Sequence, residues 1–263
     1  MTTPTIQSVT PTICAVTGVN PPTSNQAEAV PEIIEHLRNR NIGFIEKMLI
    51  FAPDAIGSSL LQRYPEIAGK FRSHSDIAIP LTSMTPPKTP VCFASMYSGA
   101  PPEIHGIQGY QRPILTIDTL FDALVRAGKR VALVAVKDCS IDIIFRNRTL
   151  SYYSESYDPE VVERTIQLIE QKEFDVIVCY QQEHDDLLHA GNPFTPEAVA
   201  AAHRHADNFI ALTKAVATCW QGETWAIAVT PDHGSHVRPD GVGDHCDNIP
   251  EDMAVTHFWR FSE

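Results

Sequence analysis

Thr224-Trp225-Ala226-Ile227-Ala228-Val229-Thr230-Pro231-Asp232-His233-Gly234 is the stretch on which the fold turns. Its short apolar run between threonines suits a buried strand better than a helix, which needs greater length. The run stops on Pro-Asp-His-Gly, a turn carrying two metal-type side chains. The same pattern recurs upstream. Lys47–Ala52 (KMLIFA) runs straight into Pro53-Asp54, Phe174–Tyr180 (FDVIVCY) precedes Asp185 and His189, and Arg130–Val136 (RVALVAV) is a further apolar run. Helical spacing occupies Pro31–Arg40, Ser58–Tyr64, Ile117–Gly128, Pro159–Gln171 and the long stretch Thr195–Trp220. Another helix is expected from about Pro90 to Ser98, with Thr89 as N-cap and proline at its first position. Shorter strands are expected at Ile77–Leu81, Ser140–Phe145 and Ala254–Phe261. Helices alternating with continuous apolar strands predict an α/β fold, a mostly parallel central sheet with helices on both faces. Ligands of such sheets bind beyond the carboxyl ends of the strands. Asp54, Asp185 and Asp232-His233 all fall there.

The chain has 263 residues, 43% of them apolar, and a formal net charge of −12. That is enough for one α/β domain over 31–263, preceded by an irregular Thr/Pro/Ser/Asn-rich arm over 1–30 with a short strand at Ile13–Val16. The acidic balance, with no Lys/Arg run, argues against a nucleic-acid polymer as partner. Neither a signal-like N-terminus nor an apolar span long enough for a membrane is visible. Six cysteines, Cys14, Cys92, Cys139, Cys179, Cys219 and Cys246, are scattered without a C-x-x-C pair. They read as reduced thiols in a cytoplasmic protein.

The chemistry sits in a few places. Asp54 closes a strand, a position where a turn or N-cap aspartate is also common. Asp185 and His189 are four apart, so one helical turn would put both on one face, although Glu183, His184 and Asp186 would also suit a solvated loop. Asp232 and His233 can share one ion only where the chain bends, which Gly234 permits. His245 lies in the polar loop Gly241-Val242-Gly243-Asp244-His245. Three aspartates and three histidines form a mixed O/N donor set suited to two divalent ions. Ser95 is a weaker nucleophile candidate than Thr89 because it lies a turn inside the expected helix. His105 and His236 read as structural and exposed loop histidines, and Trp220, Trp225 and Trp259 as packing residues.

The order of these elements resembles the alkaline phosphatase superfamily, in particular its type I phosphodiesterase/nucleotide pyrophosphatase branch. Lys88-Thr89 leads, ten residues on, to Gly99, and then to Pro102-Glu103-Ile104-His105-Gly106-Ile107, similar to that family's nucleophile segment. Asp185-x-x-x-His189, Thr230-x-Asp232-His233-Gly234 and the His245 loop follow in the family's order. The resemblance covers roughly residues 47–260. It implies an alkaline phosphatase-like core with a minimal cap and a pair of divalent ions, zinc by donor type, with manganese or iron as alternatives. One ion would be held by Asp185, His189 and His245. The other would be held by Asp54, Asp232, His233 and the hydroxyl of Thr89. Thr89 would be the nucleophile, forming a phosphothreonine at a helix N-terminus that favours an anion. Two departures stand out. Proline follows Thr89 directly as Pro90, and Cys92 stands where a phosphoryl-contacting asparagine is expected.

The implied activity is phosphoester hydrolysis, on phosphodiesters or nucleotide pyrophosphates. The alternatives are a phosphomonoesterase or phosphonate hydrolase on the same metal frame, or a metal-binding scaffold without catalysis. A small-molecule phosphoester is the expected partner in either hydrolytic case.

Overall fold

A computed structural model describes residues 3–263 of the chain. Its helices are α1 (Val9–Thr17), α2 (Pro31–Asn39), α3 (Ser58–Arg63), α4 (Pro65–Ser73), α5 (Thr89–Ser98), α6 (Pro102–His105), α7 (Leu120–Arg126), α8 (Ser140–Ile144), α9 (Asp158–Gln171), α10 (Glu183–Ala190), α11 (Pro196–Cys219) and α12 (Pro250–Met253). Its strands are β1 (Lys47–Pro53), β2 (Ile77–Thr82), β3 (Val131–Val136), β4 (Ser151–Glu155), β5 (Val176–Gln181), β6 (Trp225–Val229), β7 (His236–Val237), β8 (Gly243–Asp244) and β9 (Ala254–Phe261). Seven strands form one sheet in the order β2-β9-β6-β1-β5-β3-β4, and β7 and β8 form a separate hairpin. The run β6-β1-β5-β3-β4 is parallel throughout, and β9 is antiparallel to both of its neighbours.

Register explains why the central strands read as unbroken apolar runs. Phe51 pairs with Cys179 and Ala52 with Tyr180, so Phe51 and Tyr180 point to opposite faces. On one face Phe51 stacks on Phe209 of α11, and Phe71 of α4 bridges Phe209 to Phe258. On the other, Phe93 of α5 meets Tyr180 edge-on at 5.5 Å, and Tyr97 packs on Phe121 and Phe145. Each face therefore needs apolar side chains, and every residue of β1, β3, β5 and β6 is buried. Each such ring contributes roughly 1.5–3 kcal/mol through burial.

Two expectations are corrected. The described part of the expected arm, 3–30, is not irregular throughout and has no strand at Ile13–Val16, while residues 1–2 lie outside the described residues. Ile6–Ser8 is a 3-10 turn, Val9–Thr17 is a helix, and 18–30 lacks regular structure. The threonines hid the helix. Thr12 and Thr17 donate back to the carbonyls of Ser8 (2.6 Å) and Ile13 (2.7 Å), and Thr10 donates to Met96 in α5 (2.7 Å). With those hydroxyls absorbed, Ile6, Val9, Ile13, Cys14 and Val16 join the core. Ser140–Phe145 is helical rather than a strand. Cys139 caps α8, its thiol accepting from the Asp142 amide, and Ile141 and Ile144, three apart, share the buried side. The strand beside β3 is instead Ser151–Glu155, whose half-buried Ser-Tyr-Tyr-Ser-Glu sequence has no apolar run.

Candidate active site and metal centre

The three central strands β6, β1 and β5 are neighbours, and each delivers ligand-type side chains at its carboxyl end. Asp54 follows β1, Asp232 and His233 follow β6, and α10, which opens just after β5, carries Asp185 and His189. His245 comes from the end of β8, and Thr89 is the first residue of α5. All seven side chains singled out from the sequence meet in one place.

They form two triads. Asp54, Asp232 and His233 are one, and Asp185, His189 and His245 the other. In the first, His233 Nε2 lies 3.3 Å from Asp54 Oδ1, 3.2 Å from Asp232 Oδ2 and 3.3 Å from Thr89 Oγ1. In the second, His245 Nε2 lies 2.9 Å from His189 Nε2 and 3.3 Å from Asp185 Oδ1. The rings of His233 and His245 stack at 3.8 Å, which sets the triads side by side. Their outer nitrogens are anchored to carbonyls, His233 Nδ1 at 3.0 Å from Gly234 and His245 Nδ1 at 2.7 Å from Pro87. Only a protonated Nδ1 can make those bonds, so in both rings Nε2 is the atom that faces inward and is left to bind a cation.

The local backbone is built for this approach. Ala55 takes a positive φ of 60°, which costs a non-glycine residue roughly 1 kcal/mol, and its amide donates to Asp232 Oδ1 at 3.3 Å. Gly234 is required for space rather than for a bend. A Cβ there would stand 2.0 Å from the Glu251 carbonyl oxygen, and one on Gly57 would stand 2.4 Å from the Gly234 Cα.

The donor set fits divalent cations. Asp54 Oδ1, Asp185 Oδ1 and Asp232 Oδ2 are buried without a hydrogen-bond donor, and each faces the Nε2 atom of an inward histidine. Orphaned buried carboxylate oxygens are costly, and a cation between them and the imidazoles removes the cost. Without one, burial and the charges of Asp232 and Asp185 push the Asp54 carboxyl well above its ordinary range. Burial and Asp185 push Asp232 up to about 7. Burial works against Asp185 as well, but the His245 ring 3.3 Å away and the charges of the neighbouring histidines hold it at about 2. His245, despite burial, is raised to about 9 by the same partner. Burial and the neighbouring His245 drive His233 well below the usual histidine value.

Several further side chains were not foreseen from the sequence. Tyr180 donates its hydroxyl to Asp54 Oδ2, with both residues fully buried. A polar cavity of about 150 Å³ opens in front of Thr89, Asp54 and Asp185, and Tyr110, Arg112 and Lys137 contribute to its wall. Arg112 donates to the Asp138 carbonyl at 2.7 Å. No linear motif marks these residues; only the sheet order brings the β3 end and the 106–119 loop to the site.

Other residues stand as follows. Cys92 is fully buried, with Sγ 3.2 Å from Ser83 Oγ, and does not line the cavity, so it cannot take the place of the expected asparagine. Ser95 Oγ lies 2.8 Å from His105 Nε2, while His105 Nδ1 accepts from the Ile107 amide at 3.2 Å. The histidine proton is therefore on Nε2 and points at Ser95, so His105 cannot act as that serine's base. His236 is not an exposed loop residue. It is half-buried and bonds Asp252 at 2.8 Å. Trp220, Trp225 and Trp259 are core residues, as expected.

No protein-family model matches the chain, and no curated protein matches it by sequence. Solved structures do. Murine ectonucleotide pyrophosphatase/phosphodiesterase 5, solved as an inactive threonine-to-alanine variant with AMP, superposes with a TM-score of 0.58 at 17% identity over 72% of this chain and 57% of that one. The human form of that protein gives 0.56 at 17% identity, over 72% and 57%. Phosphonoacetate hydrolase from Sinorhizobium meliloti 1021, in complex with phosphonoacetate, gives 0.54 at 16% identity, over 74% and 58%. The chain thus spans less than two thirds of the length of these structures. Identity at this level speaks for the fold alone, and the fold of this chain is the one these structures share.

Proposed function

We propose that the chain is a two-metal phosphoester hydrolase with Thr89 as nucleophile, acting on phosphodiesters or nucleotide pyrophosphates. The observation that carries this reading is the convergence of two Asp/His triads, three of their carboxylate oxygens orphaned and buried, on a hydroxyl at a helix start. Asp185, His189 and His245 would hold one ion. Asp54, Asp232 and His233, with the Thr89 hydroxyl, would hold the other. Zinc suits the donors best, with manganese or iron as alternatives. Two such ions would supply positive charge for the phosphoryl oxygens and lower the pKa of hydroxyls bound to them.

The protein's own groups do the rest. Thr89 Oγ1 forms the bond to phosphorus as the ester oxygen of the leaving group departs with its bonding pair, and the proton given up by the threonine hydroxyl ends on that leaving oxygen. The phosphoryl group then sits at the N-terminus of α5, where the helix dipole favours an anion. Water takes the phosphoryl group in a second step and restores the hydroxyl. Tyr180 holds the Asp54 carboxylate in place throughout. The half-enclosed cavity takes a small molecule rather than a polymer.

A second reading is hydrolysis of a phosphonate, and one observation suits it as well as it suits a pyrophosphate. Arg112 and Lys137 line the cavity, and neither makes a salt bridge among the described residues. Cations at that rim suit a substrate with a second anionic group near the phosphoryl, whether another phosphate or a carboxylate. Residues 31–263 would act as one hydrolase domain. The six unpaired cysteines suit a reducing compartment such as the cytoplasm. No helix among the described residues is long and apolar enough to cross a membrane.

Parallel assays of bis-aryl and mono-aryl phosphate, with bound metal measured, test the proposal. Turnover of the bis-aryl ester is expected, abolished in Thr89→Ala. A Thr89→Ala protein with near wild-type rate would refute the nucleophile. Arg112→Ala and Lys137→Ala should raise KM for doubly anionic substrates while leaving an uncharged aryl leaving group unaffected.

A further inference from the structure

We infer that the carboxylate of Asp252 is a positioning residue for His245, and through it for one of the two metal triads. The inference rests on the two-metal reading above. Asp252 lies in α12 and is fully buried, yet it belongs to neither triad. Its Oδ2 accepts the amides of Cys246 and Asp247, each at 3.0 Å, the two residues that follow His245. His236 Nδ1 lies 2.8 Å from Oδ1 and 3.0 Å from Oδ2. His236 is on β7, paired with Asp244 of β8, the residue just before His245. One carboxylate thus ties both flanks of His245.

The need for such a tie is visible in exposure along this segment. Residues 237–242 and 246–248 are exposed, and His245 is a buried residue between them. The His245 ring is held by Pro87 and stacks on His233, and the Gly243 amide bonds Gly191 on its N-terminal side, but the chain that follows His245 is exposed and takes its anchor from Asp252. A charge-assisted set of donors on a buried carboxylate is strong enough to fix such a loop.

Asp252 also reaches the other triad, but by a different atom. Its backbone carbonyl accepts the amide of Gly234, next to His233, at 2.8 Å. Removing the side chain leaves that bond intact. The two triads should therefore respond differently to a change at Asp252. A general loss of stability would weaken both alike.

The test uses Asp252→Ala, with Asp252→Asn as the milder form should the first not fold, and Val216→Ala in the core of α11 as a variant destabilised away from the site. Zinc is titrated against a competing chelator, and amide hydrogen exchange is followed in chelator-treated protein. The expected result is one equivalent held as in wild type and the other weakened roughly 10–100-fold, as for other residues that orient metal ligands. Exchange should quicken at Cys246 and Asp247 and not at Gly234. Two equivalents bound as tightly as in wild type would overturn the inference. So would equal weakening of both, or the same split in Val216→Ala. A wild-type protein holding fewer than two equivalents would instead remove the two-metal reading, while faster exchange at Cys246 and Asp247 would still report the tie.

Discussion

Tyr180→Phe is a sharp probe of the proposed metal centre because it removes one oxygen atom from an otherwise unchanged core. The ring stays packed edge-on against Phe93, so little apolar contact is lost. What disappears is the donor to Asp54 Oδ2. Asp54 Oδ1 already lacks a donor, so in the metal-free variant neither carboxylate oxygen accepts a hydrogen bond from the described residues. Stranding a buried acceptor costs roughly 1.5–3 kcal/mol. At roughly 2–4 °C per kcal/mol for a chain of this size, the melting temperature in chelator should fall by roughly 3–12 °C. In loaded protein the same hydroxyl orients the ligand, so zinc affinity at the Asp54 triad should fall roughly 10–100-fold while the His245 triad keeps its own. Calorimetric melts with and without chelator, together with a competitive zinc titration, read both quantities. An unchanged melting temperature together with two unchanged affinities would refute the bond between Tyr180 and Asp54.

Four other outcomes are expected. His245→Ala should slow release of the phosphoryl group more than its capture, giving a burst of leaving group and a phosphorylated Thr89 peptide by mass spectrometry; no burst, with Asp232→Ala behaving identically, would deny the triads separate roles. His257 is held neutral by burial, which lowers it to about 4, and the unfolded chain takes up its proton below the ordinary value of 6.5, so stability should fall between pH 6.5 and 4 by up to roughly 3 kcal/mol. His257→Gln, which keeps a donor toward the Pro231 carbonyl, should flatten that part of the pH–denaturation curve. Asp158, raised by burial to about 7, has the opposite sign: its share of stability is present below pH 4 and is lost as pH rises through 7, a slope that Asp158→Asn should remove. Metal removal should lower the melting temperature, because an ion at a hundredfold excess over its dissociation constant adds about 2.7 kcal/mol per site.

The sheet and the two Asp/His triads were legible because both leave marks on a linear chain. A strand buried on two faces is continuously apolar, and an aspartate where such a run stops stands out, as Asp54 and Asp232 do. Asp185 and His189 were legible through their spacing, which α10 realises as one helical face. α1 was missed because its threonines bond back to their own helix, leaving a composition that looks like a loop. β4 was missed because an edge strand that is only half-buried needs no apolar run. Tyr180, Arg112 and Lys137 were out of reach for another reason. Their role depends on which strands are neighbours, and the order β1-β5-β3 is set by packing between segments more than 40 residues apart. His236 was misjudged because its partner Asp252 lies 16 residues on, across the hairpin.

The charge distribution reconciles an acidic protein with an anionic substrate. The formal charge of −12 is spread over the whole chain, and a screened surface field decays within about 10 Å. At the proposed centre the local sum is different. Two divalent ions bring four positive charges against the three carboxylates of Asp54, Asp185 and Asp232, a net of about one positive charge before Arg112 and Lys137 are counted. A small phosphoester entering the cavity would meet that positive centre at short range, in a partly buried setting where charges act strongly. A long polyanion would lay most of its length against the acidic exterior. The same arrangement explains why the metal-free site is electrostatically poor. Burial and mutual repulsion raise Asp54 and Asp232, and only Asp185, beside His245, keeps a low value. The residues that make the site uncomfortable when empty are those whose donor atoms two cations would satisfy.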